Sequence, residues 1–177
     1  GAVYLVLAGG APSGEVSLAD ADARFTGEET GSYAGTDLAG VGDVDGDGVD
    51  DVLISAPTTD HTSTRDGVVY LISGSTIESM SDWSMDLAGA DLRLTGVVQE
   101  NLAGLAVASV GDLDGDSHSD LLIGAGGGGF DDPSAAAGYL VLGASGISGT
   151  RSLAEADKTI LAEVYGEQLG AAPLRAA

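Results

Sequence analysis

Residues 42–57, GDVDGDGVDDVLISAP, place five aspartates between Asp43 and Asp51 and then run straight into an apolar segment. Residues 111–126, GDLDGDSHSDLLIGAG, repeat the arrangement 69 residues later. Asp43, Asp45, Asp47 and Asp51 stand at positions 1, 3, 5 and 9 of the first loop, and Asp112, Asp114, Asp116 and Asp120 at the same positions of the second. Four carboxylates on a tight turn repel one another unless a cation joins them. Hard oxygen donors at this spacing suit calcium, which takes about 6–8 oxygens at ~2.3–2.6 Å. The expected ligand sets are completed by the main-chain carbonyls of Val49 and His118, at position 7 of each loop. Gly48, just before, permits a left-handed backbone. An EF-hand loop would need a bidentate Glu at its twelfth position, where this chain has Ile54 and Ile123. The ninth-position aspartate must take that part, and the chain then enters a strand rather than a helix.

The elements that position these loops repeat with them. AVYLVLAG (2–9), VVYLISGS (68–75) and GYLVLGAS (138–145) share one pattern, as do ADARFTGE (21–28), ADLRLTGV (90–97) and ADKTILAE (156–163). Fixed-period self-similarity marks a repeat architecture. Each unit holds four segments: a small apolar run and the acidic loop, then the continuous apolar DVLISAP or DLLIGAG, which suits a strand buried on both faces. The β-branched and aromatic run around Tyr70 or Tyr139 follows, and the alternating ARFT or LRLT type closes the unit. No long window sustains a helical period, so almost no helix is expected. Four short antiparallel strands per unit describe a propeller blade, and a blade buries its faces only by stacking on neighbours.

The fold class expected is therefore all-β, a β-propeller segment of four-stranded antiparallel blades. Complete blades are expected at 34–96 and 103–162, the last two strands of a preceding blade at 1–27, and the first strand of a following one at 168–177. Typical propellers have about 4–8 blades, so a ring needs more chain or more copies. The chain reads as cut from something longer, with self-association through open blade edges as the alternative.

Composition narrows the function. The 177 residues carry 28 Asp plus Glu against 6 Lys plus Arg, a formal charge of −22. Such a surface repels nucleic acid and anionic lipid. No apolar run approaches the ~20 residues of a membrane span. There is no cysteine, hence no disulfide and no thiolate metal site.

On these motifs the sequence resembles the FG-GAP repeats of the integrin alpha-chain propeller and its bacterial relatives. The GAP element survives as ISAP (54–57) and IGAG (123–126), and the FG element as Ala34-Gly35, Ala103-Gly104 and Leu169-Gly170. The family pattern Asp-x-Asp-x-Asp-Gly-x-x-Asp fits fully at 43–51 and departs once at 112–120, where Ser117 replaces glycine. A left-handed Ser117 costs about 1 kcal/mol and predicts a weaker second site. The resemblance implies two structural calcium ions, each pinning the turn between the first and second strands of a blade. It also implies a protein or glycan ligand on the opposite face, at loops 57–66 and 126–137 joined by 28–33, 97–102 and 163–168.

No nucleophile elbow, zinc-protease helix, P-loop or dinucleotide fingerprint is present. The glycine run 124–130 precedes no helix. His61 and Glu28, Glu29, Glu163 and Glu167 read as solvated loop surface, Tyr70 and Tyr139 as core, and Trp83 as packing at a blade's outer edge. The expectation is a non-enzymatic, calcium-stabilised extracellular or cell-surface binding module. The alternative is an accessory propeller of a secreted hydrolase or lyase whose catalytic residues lie elsewhere. With a dissociation constant of ~0.1 mM, ~1 mM free calcium would add about 1.4 kcal/mol per site, whereas cytosolic calcium would leave the sites empty.

Overall fold

The computed structural model describes residues 1–7, 15, 17–61, 64–81, 83–126 and 136–161. In chain order the elements are β1 (Ala2–Leu5), β2 (Ala23–Thr26), β3 (Leu38–Gly42), β4 (Asp51–Ala56), β5 (Val68–Ile72), α1 (Gly74–Ser79), β6 (Ser84–Asp86), β7 (Leu92–Thr95), β8 (Ala106–Gly111), β9 (Asp120–Gly126), β10 (Ala136–Val141), β11 (Gly149–Ser152) and β12 (Lys158–Leu161). The expected strand at 168–177, the loop 163–168 with Glu163 and Glu167, and most of the loop 126–137 lie outside the described residues.

The fold is all-β and blade-like. β3-β4-β5-β7 form one antiparallel meander and β8-β9-β10-β12 a second, while β1 and β2 pair antiparallel in a third sheet. The described residues form no closed ring. The two full meanders share their registers: Leu53 faces Leu71 across β4 and β5, and Leu122 faces Leu140 across β9 and β10. β3 lies along β8 where these sheets meet.

The apolar runs are continuous because the middle sheet is buried on both sides. Ile54, Ala56, Val68, Tyr70 and Ile72 point towards the first sheet and pack with Ala23, Phe25 and Leu87. Leu53, Val69, Leu71, Leu92 and Leu94 point the other way and pack with Val107, Leu121, Ile123, Tyr139 and Leu153. The period-2 alternation of a strand thus assigns neighbouring residues to two different cores.

One feature departs from the four-stranded expectation. β6 pairs in parallel with β2, and β11 with β7. In each case the connection from third to fourth strand reaches back and pairs with the outer edge of the preceding sheet, where β11 is the fifth strand of the middle sheet and β6 the third described strand of the first. The chain then makes a single 3₁₀ turn in the recurring motif 17–22 SLADAD, 86–91 DLAGAD and 152–157 SLAEAD. The leading Ser17, Asp86 or Ser152 side chain accepts the backbone N–H two residues on, at 3.2, 2.8 and 3.2 Å. The closing Asp22, Asp91 or Asp157 accepts the N–H of Leu7, Ser73 or Leu142 at 2.8, 2.8 and 2.9 Å, capping the end of the third strand.

The leucine of this motif plugs the gap between sheets. Leu87 and Leu153 are both 0% exposed, whereas Leu18 is 57% exposed. The same residue in the same local turn therefore carries different weight. Leu153→Ala is expected to lower unfolding stability by about 2–5 kcal/mol, and Leu18→Ala by no more than about 0.5 kcal/mol. Urea unfolding of the two variants beside the parent chain measures the contrast.

Candidate metal centres in the acidic loops

Each acidic loop leaves its strand through a bulge, between Gly40 and Gly42 in β3 and between Ser109 and Gly111 in β8. Gly42 and Gly111 take φ of +70° and +72° there. An added residue at a bulge bends the strand and sharpens its twist, which turns both loops out of the sheet in the same way.

The loops are then folded by their own carboxylates. Asp43 accepts the N–H groups of Gly46 and Gly48 at 2.7 and 2.9 Å, and Asp112 those of Gly115 and Ser117 at 2.6 and 2.9 Å. Asp45 and Asp114 accept from Asp47 and Asp116 at 3.1 and 3.2 Å. Asp47 and Asp116 accept from Val49 and His118 at 2.8 and 2.9 Å. The ninth-position aspartates are buried and span a wider gap. Asp51 accepts Val44 N–H on one oxygen and Gly74 N–H on the other, both at 2.9 Å. Asp120 does the same with Leu113 at 2.7 Å and Gly143 at 2.9 Å.

This arrangement brings three carboxylates of each loop together. One oxygen each from Asp43, Asp45 and Asp51 lies within 4.8 Å of the others, and the same holds for Asp112, Asp114 and Asp120. Burial pushes the Asp51 carboxyl up, and the nearby Asp45 and Asp47 charges push the same way. Asp114 is also raised, by desolvation and by Asp116, Asp120 and Asp112. Converging carboxylates that resist ionisation together are a donor set suited to a hard divalent cation.

Asp47 and Asp116 stand apart from these groups. Ser73 Oγ donates to Asp47 at 2.7 Å, and hydroxyls of Ser75 and Ser73 hold its carboxyl below the usual range. Asp116 is lowered by the His118 N–H, and His118 Nδ1 lies 3.0 Å from its Oδ2 without the alignment of a hydrogen bond. Sequence reasoning missed Ser73 and the clasps at Gly74 and Gly143. The signal existed, since Asp51–Gly74 and Asp120–Gly143 are both 23 residues apart.

At the other end of the sheets the loops after second and fourth strands are tied together. Thr58 Oγ1 donates to the Gly31 carbonyl at 2.6 Å and Asp60 N–H to Glu29 at 2.7 Å. On the other side, Glu100 N–H donates to the Thr64 carbonyl at 2.8 Å, and Arg65 pairs with Glu100 at 3.0 Å. Below them Glu28 accepts from Arg93 at 2.6 Å and from Tyr70 Oη at 2.8 Å. Glu28 is thus a half-buried bridge between two sheets rather than loop surface, and burial with Glu28 alongside raises the Tyr70 phenol. His61 Nδ1 lies 3.5 Å from the same Arg93. Trp83 is half exposed, with the Arg24 guanidinium 5.9 Å from its ring centre.

Comparison with known families agrees with this geometry. The family model described as FG-GAP repeat matches residues 34–72 and 103–142. The chain carries two FG-GAP repeats. Each FG-GAP match runs from the Ala-Gly pair through the acidic loop to the third strand. The chain is also 36% identical over 108 residues to integrin alpha-5 of Xenopus laevis and 35% identical over 108 residues to integrin alpha-PS2 of Drosophila melanogaster. Integrin alpha-IIb of Homo sapiens is 36% identical over 107 residues. These alignments cover 58% of this chain but 9%, 7% and 10% of the respective relatives, so the chain spans about a tenth or less of their length.

The two FG-GAP loops are not equivalent in strain. Ser117 has φ +76° where the first repeat has Gly48 at +86°. A side chain in that region costs about 1–2 kcal/mol. Ser117→Gly is expected to raise stability by about 1 kcal/mol and to tighten cation binding at the second loop. Gly48→Ser is expected to do the reverse at the first. Urea unfolding and calcium calorimetry on both variants check the pair.

Proposed function

We propose that this chain is a calcium-stabilised extracellular β-propeller module that binds a protein or glycan and performs no catalysis of its own. The ligands proposed are Asp43, Asp45, Asp47, Asp51 and the Val49 carbonyl for one ion, and Asp112, Asp114, Asp116, Asp120 and the His118 carbonyl for the other. A calcium ion bound there would pin the turn between the first and second strands of its blade. Residues 34–96 and 103–162 are proposed as two blades, and 1–27 as the closing strands of a third.

The observation that carries this reading is the division between the two ends of the sheets. One end gathers carboxylates around two points. The other end is a platform in which 58–60 is hydrogen-bonded to 29–31 on one side and 64–66 to 100–103 on the other. Loops on a rigid scaffold are where recognition is usually built. Exposed side chains at this end include Tyr33, 68% exposed, with Val97 and Val98 at 38% and 42%. The relatives named integrin alpha align through the repeats, which supports an adhesion-type role. Millimolar calcium outside cells would fill sites of ~0.1 mM affinity, and two bound ions would bring the charge from −22 to about −18.

Calcium calorimetry on the purified chain is expected to show two ions bound, with a higher melting temperature in ~1 mM calcium than in chelator. No binding at ~10 mM calcium would remove the metal from the reading. Screening against extracellular matrix proteins and glycans tests the platform. Replacing Thr58–His61 by a Gly-Ser linker is expected to abolish the binding seen with the parent chain. Binding that survives this change would move recognition away from the platform.

A further inference from the structure

The two acidic loops touch. Loop 43–51 presents three consecutive backbone carbonyls to the second repeat, and all three are taken. Ser119 N–H donates to the Asp43 carbonyl at 2.7 Å, Ala144 N–H to the Val44 carbonyl at 3.0 Å, and Gly146 N–H to the Asp45 carbonyl at 2.8 Å. The fit is close. A Cβ on Gly46 would lie 2.5 Å from His118 Nε2, and one on Gly42 would lie 2.5 Å from Ser119 Oγ.

The donors are themselves set by the second loop. Ser119 sits between His118 and Asp120 within it. Ala144 and Gly146 belong to the turn that begins at Gly143, whose N–H is held by Asp120 Oδ1. One carboxylate of the second loop therefore anchors the turn that caps the backbone of the first.

We propose that the two acidic loops form one coupled cation-binding unit, in which Ser119 and the 143–146 turn are positioning residues for the first site. Order imposed on 112–120 by an ion steadies Asp120 and Ser119. That steadies the three N–H donors, and with them the backbone carrying Asp43 and Asp45. By linkage, filling the first site strengthens the second by the same factor. Ion–ion repulsion acts in the opposite direction, so the sign of the coupling is diagnostic. This inference rests on the cation reading of the loops.

The test uses the full 177-residue chain with calcium alone as the probe. Asp114→Asn removes a charge from the second site while keeping an acceptor for Asp116 N–H, and Asp45→Asn does the same in the first. Calorimetry is expected to show the surviving site weakened by about fivefold or more, and by the same factor in both variants. Gly46→Ala, which crowds His118 and strains the first loop at φ +78° while keeping every carboxylate, is expected to bind two ions, the first more weakly than in the parent chain, with this mutual dependence lost. Amide exchange supplies a readout that needs no variant ligand set. In the parent chain the Ser119, Ala144 and Gly146 amides are expected to be more protected with calcium than in chelator, and Asp114→Asn to lose that gain. A surviving site within about twofold of its parent affinity, or tighter, would overturn the coupling while leaving two calcium sites. No calcium binding by the parent chain would overturn the cation reading and the coupling together.

Discussion

The buried carboxylate at the ninth position of each acidic loop is the interaction on which the other features depend. Asp51 is 1% exposed and Asp120 0%, and each holds two backbone N–H groups, one 7 residues back and one 23 residues on. One N–H belongs to the loop's own start and the other to the end of the third strand. A single side chain thus fixes the loop, the second strand that it begins and the third strand beside it. Burying a charge is costly unless hydrogen bonds and counter-charge offset the lost hydration. The N–H groups supply part of that offset, while burial and the neighbouring Asp45 and Asp47 charges push the Asp51 carboxyl up. In the proposed reading a bound cation would complete the balance, at the point where Asp43 and Asp45, or Asp112 and Asp114, converge with the buried carboxylate.

From that clasp the blade follows. With the turn closed, the second strand is placed between two apolar layers, and both of its faces must be filled. The middle sheet achieves this by giving alternate residues to opposite cores. The interfaces between sheets are sealed by residues that leave the sheet altogether, Leu87 and Leu153 in their 3₁₀ turns. Those turns follow directly on β6 and β11, which pair with the sheet behind. Adjacent repeats are therefore joined by main-chain pairing at the rim, by apolar plugs in the gap and by loop contacts at the acidic end. Cooperativity between repeats needs such interface terms.

Much of this was legible in the sequence because the strands are buried on two sides and the loops recur in register. DVLISAP and DLLIGAG can be read as central strands since their apolar character is unbroken. Tyr70 and Tyr139 read as core because they recur at matching points. β6 and β11 escaped notice because their segments, SMD and GTRS, are short and polar, sit at an edge and carry no alternation. Glu28 read as surface because its partners Tyr70 and Arg93 lie on another sheet, and nothing local reports that. The packing of His118 on Gly46 was hidden for the same reason, since the contact joins two repeats. What pattern shows is the chemistry within a unit. Contacts between units appear only once the sheets are stacked.

The two acidic loops have nearly equal sequences and are tied to each other by the stacking. The first has Gly48 where the second has Ser117 at positive φ, and the second repeat covers the backbone of the first loop. The glycine spares the first loop a backbone strain that the second bears, and the tertiary contact makes each loop part of the other's surroundings. Identical motifs in a repeat array therefore do not imply identical sites. Each site's affinity is set jointly by its own residues and by the unit stacked against it.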